Sequence, residues 1–252
     1  MSGIWLAGFW GLVGGSALVL GAAIGYLAQM PQRLIAAVMA VGSGVLISAV
    51  AFDLMDEAYR QGGFGPTALG FLVGGIAYTI ANVIISRQGA KHRKRSGSNP
   101  ERSQSTDNNS GLALAVGALL DGIPESIVIG VSLLEGTGVS MVMVAAVFLS
   151  NVPEGLSSAA GMKQAGRGPG YIFSVWVGIA LLSGLAALLG NLLLHDANPE
   201  LIATVTAVAA GAILAMLVDT MIPEATEATH EYSGLIAVVG FLLAFVLKKM
   251  DG

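Results

Sequence analysis

Eight long apolar stretches, each nearly free of charge, constrain this chain more than any other feature. They run over 4–28, 33–57, 65–86, 111–134, 138–162, 170–194, 200–225 and 233–248. A helix rises about 1.5 Å per residue, so roughly 20 apolar residues cross a bilayer core of about 30 Å. The stretches lack the alternating ten-residue pattern of membrane β-strands. The expected fold is an all-α integral membrane protein of eight transmembrane helices, a single domain over 1–252. Only 11 % of the residues are charged and 54 % are hydrophobic, whereas soluble domains carry about 25 % charged residues. A soluble globule this poor in charge could not cover its surface, which excludes a cytoplasmic enzyme and a disordered chain. The net charge of −4 argues against nucleic acid as a partner. The chain has no cysteine, so disulfides, thiolate metal sites and cysteine nucleophiles are excluded. The first stretch begins almost at Met1 without a basic leader and is long enough to span, so no cleavable signal peptide is expected.

The longest polar stretch, 87–110, separates three spans from five and reads as a disordered basic loop. It holds Lys91, His92, Arg93, Lys94 and Arg95 and then a run rich in Ser, Asn and Gln. Eight spans put both termini on one side. Nine of the twelve basic residues then fall on the opposite side, and only Arg60, Lys248 and Lys249 on the side of the termini. Positive charge collects in the cytoplasm, so the expected protein is a multi-pass protein of the plasma (inner) membrane, with the loop inside and both termini outside. Lys248 and Lys249 close the last, short span and are expected to snorkel to the interface.

Charge at bilayer depth is costly and marks a pathway. Six acids lie within or at the ends of spans: Asp53, Asp121, Glu125, Glu154, Asp219 and Glu224; Glu57 lies one turn beyond Asp53. No lysine or arginine is placed centrally to neutralise them. In the fourth span, Asp121-Gly122-Ile123-Pro124-Glu125 sets two carboxylates one turn apart on one helix face. In the fifth, Ser150-Asn151-Val152-Pro153-Glu154 repeats the spacing 29 residues later. Pro124 and Pro153 remove the amides that would bond the carbonyls of Leu120 and Leu149, and Pro223 does the same to Asp219. Such helix kinks leave extra oxygen acceptors beside the acids, tolerated where backbone is buried in protein or lines a wet cavity.

Two facing helices would bring Asp121, Glu125 and Glu154 together, with Ser150 and Asn151 beside them. Three carboxylates that close repel one another and raise each other's pKa. A divalent cation relieves the repulsion; protons are the rival solution, and exchange of one for the other follows. Asp53 and Glu57 would then stand at one end of the path, and Asp219 and Glu224 at the other. His195 and His230 read as loop or interface residues.

The second and seventh spans also resemble each other. Gly44 precedes Glu57-Ala58 by 13 residues, as Gly211 precedes Glu224-Ala225, and Asp53 and Asp219 fall between them, offset by one. The two spans run in opposite directions, as inverted repeats in transporters require. A 3+2+3 inverted-repeat arrangement is expected, with the fourth and fifth spans as the central pair.

With these motifs the chain resembles the ZIP (zinc–iron permease) metal transporters over nearly its whole length. In that family the fourth span carries His-Asn-x-Pro-Glu-Gly and the fifth a similar x-x-x-Pro-Glu-Gly. Pro124, Glu125, Pro153, Glu154 and Gly155 match. Asp121 stands where the histidine is common, Gly122 replaces the asparagine and Ser126 the final glycine. Ser150 and Asn151 replace a pair that is often His or Gln followed by Asn or Asp. The sixth span has no acid or histidine at mid-depth.

The resemblance implies a secondary transporter, not an enzyme, that carries a divalent metal of the zinc, iron or manganese class into the cytoplasm. It implies metal bound by Asp121, Glu125, Glu154, Ser150 and Asn151, no permanent cofactor, the lipid bilayer as partner and a homodimer. The all-oxygen ligand set suits harder ions, which favours manganese or iron over zinc. The alternatives are a proton-coupled carrier of another cation or solute, and a ZIP-like membrane protein that does not transport.

Overall fold

The structure, a computed structural model, describes residues 3–28, 30–90, 108–135 and 139–251. The basic run 91–95, with His92, and most of the polar stretch 87–110 lie outside the described residues. Eight long helices follow the eight apolar stretches. They are α1 (Gly3–Leu27), α2 (Gln32–Gly62), α3 (Phe64–Ile85), α4 (Asn108–Ser132), α5 (Met141–Gln164), α6 (Pro169–Leu194), α7 (Pro199–Glu227) and α8 (Ser233–Asp251). Every element among the described residues is helical. Seven of the helices are long and apolar enough to cross a membrane. The eighth, α5, has 24 residues, about 36 Å of helix, and carries a row of buried polar side chains.

Large apolar residues cover the outside. Leu69, Leu72 and Ile76 on α3 and Leu235, Leu242 and Leu243 on α8 are all more than half exposed. Water would not tolerate such continuous faces, and lipid does.

Among the described residues three π segments occur: Ser86–Ala90 follows α3, and the other two lie inside long helices. In α2 the segment Val50–Leu54 is a π-turn, with the Met55 amide donating to the Val50 carbonyl. In α7 the segment Leu217–Met221 is a π-turn, with the Ile222 amide donating to the Leu217 carbonyl. Each holds an aspartate, Asp53 or Asp219. Pro223, which cannot donate, follows the second turn; the matching position in α2 is Asp56, so the first turn forms without a proline. Pro124 and Pro153 lie inside helices whose α pattern is continuous.

Between apolar helices in lipid, association depends on close packing and not on hydrophobic burial, so small residues decide which helices meet. Four crossings share one geometry. A Cβ on Gly44 of α2 would collide with the Ala237 carbonyl of α8, and one on Gly240 with the Val41 carbonyl. On α7 and α3, Gly211 meets the Phe71 carbonyl and Gly74 the Val208 carbonyl. Gly155 of α5 meets the Leu18 carbonyl of α1, and Gly21 the Val152 carbonyl. Gly130 of α4 meets the Ala187 carbonyl of α6, with Gly190 against Ile127 in return. In each case the carbonyl belongs to the residue three before the partner's glycine.

The crossings assemble two groups of four. Helices α1, α4, α5 and α6 pack together, as do α2, α3, α7 and α8. Where the groups meet, α2 and α7 contribute Met39, Val50, Ile213 and Met221 to one buried cluster, and α4 and α5 contribute Ile129, Met143 and Val147. The acids lie along this seam.

Candidate metal centre

The fourth and fifth helices run antiparallel on either side of α1. Gly14 fixes their register, because a Cβ there would lie 3.1 Å from the Ile129 side chain and 3.3 Å from that of Val147. By helical spacing from that contact, Glu125 lies one turn before Ile129 on α4 and Asn151 one turn after Val147 on α5, with Asp121 and Gly155, next to Glu154, one turn further along each helix. All of these side chains are buried, Glu125 and Asp121 at 1 % exposure and Glu154 and Asn151 at 3 %.

Several of the polar groups are held by neighbouring helices or by their own. The Tyr78 hydroxyl of α3 donates to Asp121 Oδ1 at 2.7 Å. Asn151 Nδ2 donates to the Gly14 carbonyl at 3.1 Å, while its Oδ1 is buried with no hydrogen-bond donor. Ser150 Oγ donates back to the Val147 carbonyl at 2.9 Å, which leaves its lone pairs as the only acceptors it offers. Gly122 faces α6, where the nearest side-chain atom to a Cβ would be Ser183 Oγ at 3.8 Å. It therefore lies away from α5. Ser126, next to Glu125, donates to the Gly122 carbonyl at 2.8 Å.

The face of α5 that carries Glu154 continues through Ser157 and Ser158, both buried. Ser157 Oγ donates to Glu224 Oε1 of α7 at 3.0 Å, and Gln32 Nε2 at the start of α2 approaches the same oxygen at 3.5 Å. Glu224 is 1 % exposed, so it joins the buried seam. Asp219 does not. It is exposed beside α3, where Asn82 Nδ2 donates to its Oδ2 at 3.1 Å.

At the opposite end, Asp53 and Glu57 line a cavity of about 40 Å³ with Ser132, Ser140, Thr206 and Lys248. Lys248, in the last turn of α8, is 42 % exposed and reaches back to an acid. Its Nζ lies 2.8 Å from Asp53 Oδ1. Glu57 accepts from Gln61 at 2.7 Å.

The acids are thus strung along the seam from Asp53 and Glu57, past Asp121, Glu125 and Glu154, to Glu224. Among the described residues, no three His, Asp or Glu side chains gather into a single ion-binding group. Tyr78, Ser157, Gln32 and Lys248 were missed from sequence. Two of them left a signal there: Tyr78 is the one phenol in its span, and Ser157 follows Glu154 at helical spacing. Gln32 and Lys248 sit at span ends, where polar residues are ordinary. His195 is exposed after α6, and the His230 side chain lies outside the described residues.

No family model matches the chain. Over 225 residues, 86 % of this chain and 85 % of the relative, it is 27 % identical to a protein described as zinc transporter ZupT from Enterobacter sp. (strain 638).

Proposed function

We propose that this chain is a ZIP-type secondary transporter, not an enzyme, which carries a divalent metal ion across the inner membrane as its substrate. The observation that carries this reading is the row of carboxylates Asp121, Glu125, Glu154 and Glu224, each at most 3 % exposed, in a chain whose spans hold no central lysine or arginine. Buried carboxylates on facing helices at bilayer depth serve cation passage. The full-length similarity to a zinc transporter supports the same substrate class.

In this reading the dication is held between α4 and α5 by Asp121, Glu125 and Glu154. Asn151 Oδ1 and Ser150 Oγ are its neutral oxygen donors. Gathering them requires a rearrangement: Asp121 must give up the Tyr78 hydroxyl, and the carboxylates must converge into a group they do not form here. Repulsion between the acids opposes this gathering until two positive charges arrive, which couples binding to a change of shape. Protons take the acids when metal leaves.

The ligand set contains neither imidazole nor thiolate. Oxygen donors hold manganese or iron(II) well, and the advantage that imidazole gives zinc is missing. Asp53 and Glu57 receive the ion on the side of the termini, taken as outside from the distribution of basic residues. It leaves past Ser157 and Glu224 on the cytoplasmic side, with Asp219 beside that end.

The matched π-turns and reciprocal glycine crossings support a 3+2+3 inverted repeat. It pairs α1 with α6, α2 with α7 and α3 with α8, around α4 and α5. The two four-helix groups are then the bodies whose relative movement exposes the seam to either side. A second copy of the chain completes a homodimer.

Equilibrium titration of the purified protein with Mn²⁺, Fe²⁺ and Zn²⁺ tests the reading. A saturable dication site that Glu125→Gln weakens at least tenfold is expected. Dication binding unchanged in Glu125→Gln, or absent from the unaltered protein, would overturn it.

A further inference from the structure

The glycine crossings that relate α2·α8 to α7·α3 also relate two ties to the π-turns. Lys248 follows Gly240 by eight residues and reaches Asp53; Asn82 follows Gly74 by eight and reaches Asp219. The same position of the fold therefore holds a π-turn aspartate at each end of the molecule, once through an ammonium ion and once through a neutral amide. The difference in charge lies at the end where Asp53 and Glu57 share a cavity.

We propose that Lys248 is a built-in monovalent cation that occupies the Asp53 oxygen at this mouth, and that a dication reaches Asp53 and Glu57 only by displacing it. The inference rests on the transport reading for the identity of the displacing ion. Three features support it. Asp53 Oδ1 already binds a cation, the Lys248 ammonium, at 2.8 Å, and the Asp53 side chain is only 9 % exposed. Glu57 is one turn from Asp53 on the same helix, and the cavity they share is also lined by Ser132, Ser140 and Thr206. The Lys248 side chain is 42 % exposed and stands in the last turn of the last helix, so it can swing into solvent without repacking the core.

The charge balance gives the selectivity. With Lys248 in place the two carboxylates and the ammonium sum to a single negative charge. With Lys248 withdrawn the site carries two, which matches a dication and leaves a monovalent ion under-compensated. A tethered ammonium also competes at a high effective concentration. Free sodium or potassium offers no more charge than the group it must remove, whereas a divalent ion offers twice as much. Lys248 would therefore act as a filter against monovalent ions at the mouth.

The test uses the full chain in proteoliposomes and a membrane-impermeant amine-acylating reagent, with Lys249 as the internal reference. Mn²⁺ or Zn²⁺ should raise acylation of Lys248 relative to Lys249 at least about fivefold, the low end of ordinary site coupling, and K⁺ at equal ionic strength should not. Asp53→Asn should leave Lys248 reactive at all times and remove the metal effect. In parallel, Lys248→Met should lower the half-saturating dication concentration several-fold and make dication uptake sensitive to Na⁺. Acylation of Lys248 that ignores dications overturns the proposal, as does uptake by Lys248→Met with unchanged half-saturation and unchanged Na⁺ sensitivity. Failure of the unaltered protein to take up any dication would instead overturn the transport reading. The acylation measurement would still decide whether a dication displaces Lys248.

Discussion

The Tyr78 hydroxyl, on α3, donates a 2.7 Å hydrogen bond to Asp121, on α4, and so joins the two four-helix groups at the depth of the buried acids. Both residues are at most 2 % exposed. Removing a donor from a buried carboxylate costs about 1–3 kcal/mol. Tyr78→Phe is therefore expected to lower the thermal unfolding midpoint of the detergent-solubilised protein. Saturating dication should recover part of that loss, because the metal takes over the oxygen that Tyr78 releases. An unchanged midpoint would show that the bond contributes nothing.

Glycine crossings make a sharper contrast. A methyl group at Gly44 would collide with the Ala237 backbone carbonyl, which cannot move aside, whereas nothing lies within 4 Å of the same position at Gly178. Gly44→Ala should destabilise the protein by at least about 1–3 kcal/mol, the usual cost of overpacking, and Gly178→Ala should stay within about 0.5 kcal/mol. Monodispersity and thermal stability in detergent read both. The glycines are not equivalent: Gly74 and Gly184 are tightly packed against neighbouring helices, and Gly178 faces open space.

Glu224 separates structure from transport. Its Oε1 accepts from Ser157. Ser157→Ala should cost about 1 kcal/mol of stability through that bond. Glu224→Gln keeps an acceptor oxygen and removes the charge. It should leave stability nearly unchanged while slowing dication uptake roughly tenfold, equivalent to about 1.4 kcal/mol in the barrier. Uptake equal to that of the unaltered protein would take Glu224 out of the path.

The spans were legible from length and hydropathy, because lipid forces long apolar helices whatever they pack against. Their ends were less so. The second span, expected to close at 57, continues through the π-turn to Gly62, because backbone bonds extend the helix past the point where the sequence turns polar. The likeness between Gly44–Glu57 and Gly211–Glu224 was visible, and its physical meaning was not. Only the folded chain reveals that each glycine seats a backbone carbonyl and that each following aspartate sits in a π-turn. The buried acids were legible from charge and spacing alone. Their partners were not, since Tyr78, Gln32 and Lys248 reach them from helices distant in sequence. Asp219 and Glu224, read from the sequence as one end of the path, have different surroundings in the fold. Asp219 sits inside the π-turn and Glu224 follows it and Pro223, so Glu224 meets α5 while Asp219 is exposed beside α3.

Dication uptake into proteoliposomes, compared between the unaltered chain, Glu154→Gln and Glu154→Ala, tests most directly whether the α4–α5 carboxylates carry the ion. Saturable uptake of Mn²⁺, Fe²⁺ or Zn²⁺ by the unaltered chain is expected, reduced in both variants to the leak of protein-free vesicles while they remain folded. Equal uptake by all three proteins would contradict it.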